Sequence, residues 1–145
     1  MGLPRIVYDP GTGIVALDFV RGPQDFKCFY QTRKNDNLST SGLRERVTEA
    51  NDILITFGMP ALRIDDDLPA WGTFMKFALA GGQFDFYPNV SINEHYHCVS
   101  EDDNFTPARV GMMVYSAAFQ FRIVPDGLAP ATPAVVLKRF NGIAT

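Results

Sequence analysis

Asp65-Asp66-Asp67-Leu-Pro-Ala-Trp71-Gly-Thr-Phe74-Met-Lys-Phe-Ala78-Leu-Ala-Gly81-Gly82-Gln-Phe84-Asp-Phe86-Tyr87-Pro88 is the stretch whose reading decides the fold. Three aspartates precede Pro69, so a carboxylate can accept from the orphan N–H groups of a helix start, and proline sits in the first turn where its missing N–H costs nothing. Leu68, Trp71, Phe74, Met75, Ala78 and Leu79 recur at three- and four-residue spacing, which stacks them on one face. Gly81 and Gly82 then supply the left-handed backbone that stops a helix. The pattern predicts one amphipathic helix over about 68–80, lying on an apolar surface. That surface follows at once: Phe84 and Phe86 share one face of a short strand, and Pro88 and Asn89 end it.

Working outward, Met112 to Ile123 alternates with period two. Met113, Tyr115, Ala117, Phe119, Phe121 and Ile123 fall on one side and Ser116, Gln120 and Arg122 on the other, as in a strand with one face in the core. Asn93 to Ser100 reads as a further strand, with Tyr96 and Cys98 opposite His95 and His97. Ile53, Ile55 and Phe57 begin another, in which Gly58 and Pro60 mark a bulge, bend or edge. Leu43 to Ala50 fits both a helical stripe and a solvated strand, and its context favours the strand. Ile14 to Phe19 and Phe26 to Tyr30 suggest an opening hairpin, preceded by a Gly11-Thr12-Gly13 turn. Gln31 to Gly42 is polar with neither period and reads as a long loop. After Pro125, proline, glycine and alanine mix with Val135, Val136, Leu137 and Phe140 without a usable period, so residues 126–145 read as an extended C-terminal arm on a single domain of residues 1–125. Several strands and one helix, without strand–helix alternation, predict a mainly β (α+β) fold: an antiparallel β-sandwich with one flanking helix.

Composition bounds the function. At 145 residues and 46% hydrophobic, the chain is long enough for one core without metal or disulfide staples. A net charge of −3 and a pI of about 5.2 argue against a protein that binds nucleic acid by neutralising phosphates. No apolar run approaches the roughly 20 residues of a bilayer crossing and no secretory pattern opens the chain, so no membrane insertion and synthesis in the cytoplasm are expected. Cys28 and Cys98 read as two reduced, partly buried hydrophobes, with a disulfide as the alternative.

The chemistry-bearing residues do not assemble into a motif. His95 and His97 share one strand face while Cys98 takes the other, short of a tetrahedral ligand set. Cys28 or Cys98 with either histidine are the candidates for a nucleophile–base pair, and no local motif positions them. Gly11-Thr12-Gly13 lacks the Gly-Lys-Ser/Thr end of a phosphate cradle, and Asp65 to Asp67 lack calcium-loop spacing. Asn37, Asn89 and Asn104 each open an Asn-x-Ser/Thr triplet that the absence of a secretion pattern makes coincidental. No catalytic, cofactor-binding or metal residue is therefore expected, and the chain is not expected to be an enzyme. A small metal- or ligand-binding β-sandwich enzyme using His95 and His97 is the weaker alternative, and an adaptor binding through a sheet edge is a third.

The stretch Asp67 to Pro88, with its Trp-x-x-Phe helix, Gly-Gly stop and strand closing on Phe86-Tyr87-Pro88, resembles small structural proteins of tailed-bacteriophage tails. Phe105-Thr-Pro107-Ala-Arg109, followed by the strand that ends Arg122-Ile-Val124, is similar to the same pattern. The resemblance spans about residues 44–124. It implies a tail-tube-like sandwich of two antiparallel sheets and a distal-tail or other minor tail protein that forms a ring, of hexameric type, at the distal end of the tail tube. The implied partners are further copies of itself and the neighbouring tail-tube and tail-tip or baseplate proteins, with phage DNA passing through unbound. The implied location is the virion tail, assembled in the host cytoplasm. Tail-completion and head–tail connector roles are the alternatives. On this reading the 31–42 loop and the C-terminal arm make more contacts with other chains than with their own core.

Overall fold

The computed structural model describes residues 2–38, 44–124 and 132–144, with side chains outside 32–51. Its elements run β1 (Arg5–Tyr8), β2 (Val15–Asp18), β3 (Gln24–Leu38), β4 (Arg44–Arg63), α1 (Asp67–Leu79), β5 (Phe84–Tyr87), β6 (Tyr96–Ser100), β7 (Ala108–Gly111), β8 (Val114–Ile123) and α2 (Pro133–Phe140). All pairings are antiparallel and join the strands into one sheet of order β2-β1-β5-β6-β8-β4-β3, with β7 paired to β8 off that path. The mainly β, antiparallel expectation holds.

The two expected layers are the two halves of one curled sheet. At about 4.8 Å per strand step, β2 and β4 would lie roughly 24 Å apart in a flat sheet, yet the rings of Phe19 and Phe57 are 5.6 Å apart. Phe26 on β3 and Phe86 on β5 are four steps apart along the path and stack at 6.1 Å. The sheet closes because nearly every strand offers its apolar face to the same interior: Ile6, Tyr8, Leu17, Ile55, Phe57, Phe84, Phe86, Phe119 and Phe121 form one cluster.

Helix α1 fills that interior. Trp71, Phe74, Met75 and Ala78 are its buried stripe. Trp71 stacks on Phe119 at 4.5 Å and meets Phe19 edge-on at 5.1 Å, while Phe74 meets Phe84 edge-on at 4.9 Å. Its end is the double-glycine stop: Gly81 N–H donates to Ala78 O and Gly82 N–H to Phe77 O, with Gly81 at φ 94°. Its start departs from expectation. Asp66 occupies the cap without a side-chain cap bond, and Asp67 instead accepts from the Arg63 N–H, on the strand side of the turn, at 3.3 Å.

Five sequence expectations are corrected. The opening hairpin is β1–β2, closed across the Gly11 to Gly13 turn; β3 lies at the opposite end of the sheet from β2. Gln31 to Leu38 is strand, because pairing with β4 satisfies its backbone whatever its polarity; the remaining positions of the expected loop lie outside the described residues. Met112 and Met113 form the turn before β8, with Met113 at φ 59°, so the strand begins at Val114. Pro107-Ala-Arg109, which the resemblance implies is a turn leading into the final strand, instead runs into a separate strand, β7, from Ala108 to Gly111.

The fifth correction is the largest. The segment expected as an extended arm contains α2, capped by Thr132, whose Oγ1 accepts from Val135 N–H, with Pro133 in the first turn. Val136 is fully buried, the Phe140 ring stacks on Phe26 at 4.0 Å, and Asn89 donates its side-chain N–H to the Phe140 carbonyl at 3.4 Å. The apolar residues that lacked a long period thus sit on their own sheet: Val136 and Phe140 are one helical turn apart and face β3. Among the described residues there are two helices where one was expected, and the region 125–131 between β8 and α2 lies outside them.

Candidate assembly surface

The feature that stands clear of this body is the β3–β4 hairpin. Strand β4 is flanked by β8 only from Leu54 to Arg63, and β3 pairs with β4 alone. From Tyr30↔Ile53 out to Leu38↔Arg44 no third strand pairs with these two among the described residues, over roughly 30 Å at 3.4 Å per residue. One register shift, between Arg33 and Lys34, interrupts the ladder. In sequence, the hairpin balances Arg33, Lys34, Arg44 and Arg46 against Asp36, Glu45, Glu49 and Asp52. A two-stranded ribbon is at best marginally stable alone in water.

The residues singled out for chemistry are placed as follows. His95 and His97 do share a face, their rings 5.9 Å apart, and Tyr87 packs on His95 at 4.8 Å. His97 Nδ1 pairs with Asp85, its register partner on β5. Cys98 is on the opposite face, completely buried, and burial pushes its thiol well above the ordinary range. Cys28 is also a free buried thiol, raised by burial to about 12. Thiols held protonated in this way are poor nucleophiles and poor metal ligands. Among the described residues no group of three or more His, Cys, Asp or Glu side chains converges as a metal site, and no helix is long and apolar enough to cross a membrane.

Exchanging His95 for Gln and His97 for Asn, or treating the protein with a chelator, is expected to leave folding and assembly unchanged. At most about 1 kcal/mol is lost with the partly exposed His97–Asp85 pair. Stoichiometric zinc that survives purification and disappears in the double variant would overturn this.

Two polar clusters escaped the sequence reading. Asn89, buried and expected only to end β5, accepts from Ser91 N–H (3.0 Å) and Ser91 O–H (2.6 Å) while holding α2. Glu94 accepts from Tyr96 O–H at 2.5 Å and from Arg139 Nε at 2.7 Å, tying α2 to β6. Partial burial raises the Glu94 carboxyl, but those bonds and the Arg139 charge outweigh it and hold the group below its ordinary value. The stabilisation is present above the unfolded carboxylate range and is lost as the pH falls through the lower folded value. The local signal for the helix these residues hold was Thr132-Pro133 before it and Asn141-Gly142 after it. Nothing local signals Glu94 or Asn89, whose partners on α2 lie 45 and 51 residues away.

No protein-family profile and no curated protein matches the chain. Among solved structures, a chain described as "Tail of empty GTA particle computed with helical refinement, C6 symmetry" is similar at 14% identity, covering 83% of this chain and 90% of that one, with a TM-score of 0.42. A likeness at that score carries no argument about this chain.

Proposed function

We propose that this chain is a non-catalytic structural component of a bacteriophage tail. In this reading it assembles with copies of itself into a ring, hexameric in type, at or near the distal end of the tail tube, and links the tube to the tail tip or baseplate. It acts in the virion after assembly in the host cytoplasm. The observation that carries the proposal is the β3–β4 hairpin, which runs past the end of its pairing with β8 as a two-stranded ribbon with no third strand beside it among the described residues, a form that a neighbouring subunit would stabilise. The motif resemblance over Trp71 to Pro88 and Phe105 to Val124 supports the tail setting. The net charge of −3 suits a channel through which DNA passes without adhering.

The test removes the ribbon and keeps the body. Thr32 and Asn51 are register partners, so residues 33–50 can be replaced by an Asn-Gly turn that closes a short hairpin in their place. The shortened protein is expected to stay folded, within about 1 kcal/mol of the parent, and to lose self-assembly. Negative-stain images of the intact chain should show closed rings with a central opening. If the shortened chain unfolds, the ribbon belongs to its own fold. If it assembles normally, or the intact chain never self-associates, the proposal fails.

A further inference from the structure

A second surface lies farther along β4, around Gly58 to Pro60, where two irregularities occur close together in the ladder. The β3–β4 register slips between Gln24 and Lys27, and the β4–β8 register slips between Met59 and Leu62. Between them opens a groove of about 310 Å³, at the small end of the range for ligand sites and suited to one or two side chains. Its lining includes Gly58, Ala108, Ala117 and Ala118, so much of the wall is backbone and methyl groups. A Cβ at Gly58 would sit in ordinary van der Waals contact with the backbone oxygens of Ala117 and Gln24, at 3.8 and 4.0 Å, without a clash. Asp25 is the one charged residue of the lining; it is held at φ 54° and has no hydrogen-bond or ion-pair partner among the described residues. A non-glycine residue kept in that conformation marks a place where the chain accepts strain.

The complement is on the β7–β8 hairpin, whose Ala108 and Ser116 to Ala118 also line the groove. Strand β7 is exposed along its whole length, and the β7–β8 turn presents Val110, Met112 and Met113 at 59%, 81% and 53% exposure. The turn is held in place: Met113 is at φ 59° and its carbonyl accepts from Ile64 N–H at 2.9 Å. Unbranched, polarizable methionine side chains adapt to irregular grooves, and methionine and arginine are enriched at protein interfaces. Arg109, one strand residue from this apolar tip, uses Nε on the Gly111 carbonyl and keeps its guanidinium exposed. A positive group therefore stands beside the tip and a negative one lines the groove. The tip cannot enter its own groove, because the paired residues Ala108↔Ser116 and Arg109↔Tyr115 separate them.

We infer that the β7–β8 turn of one copy seats Met112 and Met113 in the bulge-flanked groove of the next, with Arg109 set against Asp25. Two different surfaces meet in this contact, so it is heterologous and propagates into a ring or filament. The inference rests on the self-assembling reading above and names one of the contacts that reading needs.

Two exposed-site variants test it. Met112→Glu spoils the tip, and Ala118→Trp fills the groove over Gly58, its register partner. Each alone, with an unchanged melting temperature, is expected to weaken self-association at least about tenfold and to run as a monomer where the parent assembles. Mixed in equal amounts they should form a 1:1 complex and stop, because one intact tip finds one intact groove and no second contact exists. Variants that assemble like the parent, or a mixture that stays monomeric, would overturn this contact while leaving the ring reading intact. A parent that stops at a dimer would also overturn it, since two copies would then be exchanging turns about a twofold axis. A parent that never self-associates defeats both.

Discussion

Replacing Phe57 by alanine is expected to destabilise the protein by about 3–5 kcal/mol, the range for removing a buried phenylalanine from a packed core. Phe57 is the residue at which the curled sheet meets itself. Its ring lies 5.4 Å from both Phe119 and Phe121 on β8, 6.3 Å from Phe86 on β5, 5.6 Å from Phe19 beyond β2, and 6.4 Å from Trp71 on α1. Truncation leaves a void walled by rings that cannot collapse without uncurling the sheet, so the upper half of the range applies. Domains of this size hold about 5–15 kcal/mol in all, so the variant should unfold at much lower urea with an unchanged slope. A midpoint within experimental error of the parent would mean that the two halves of the sheet do not close through this residue.

Truncation after position 131 is the second large effect, and its sign reverses what the sequence suggests. An arm that reaches for a neighbour could be removed without harm to the body, but α2 contributes to its own core. Burial of Val136 is worth roughly 1.5–3 kcal/mol and the Phe26–Phe140 stack about 0.5–1.5 kcal/mol more. The partly exposed Glu94–Arg139 pair adds at most about 1 kcal/mol. A loss of about 2–5 kcal/mol corresponds to a melting temperature lower by roughly 5–15 °C. Thermal unfolding of the truncated chain measures this. If it melts with the parent, α2 is not part of the folded unit, and the arm reading regains its place.

The sequence by itself determined the elements whose signals are local. Trp71, Phe74, Met75 and Ala78 mark the buried face of α1 by spacing alone, Gly81-Gly82 marks its end, and the alternation from Ala117 to Ile123 marks the buried face of β8. An irregularity near Gly58 and Pro60 was legible for the same reason, as a bulge, bend or edge, and the β4–β8 register shift between Met59 and Leu62 is its form. Polarity misled where pairing mattered more: Gln31 to Leu38 offers no apolar face, yet a strand needs only a partner for its backbone, and β4 supplies one from residues 44–52.

The closure of the sheet was decided only in three dimensions. Neither Phe19 nor Phe86 carries any mark that it will meet a ring several strands away, because strand order depends on the whole set of faces and not on any one of them. The groove beside Gly58 and the β7–β8 turn were likewise illegible. Met113 continues the apolar alternation of β8 in sequence, yet it stands in a left-handed turn and is exposed to solvent together with Met112. An eight-residue helix such as α2 has too few turns to show a period; burying Val136 and pinning Phe140 from β3 and Asn89 is what makes it a helix at all, since isolated helices of that length are unstable in water.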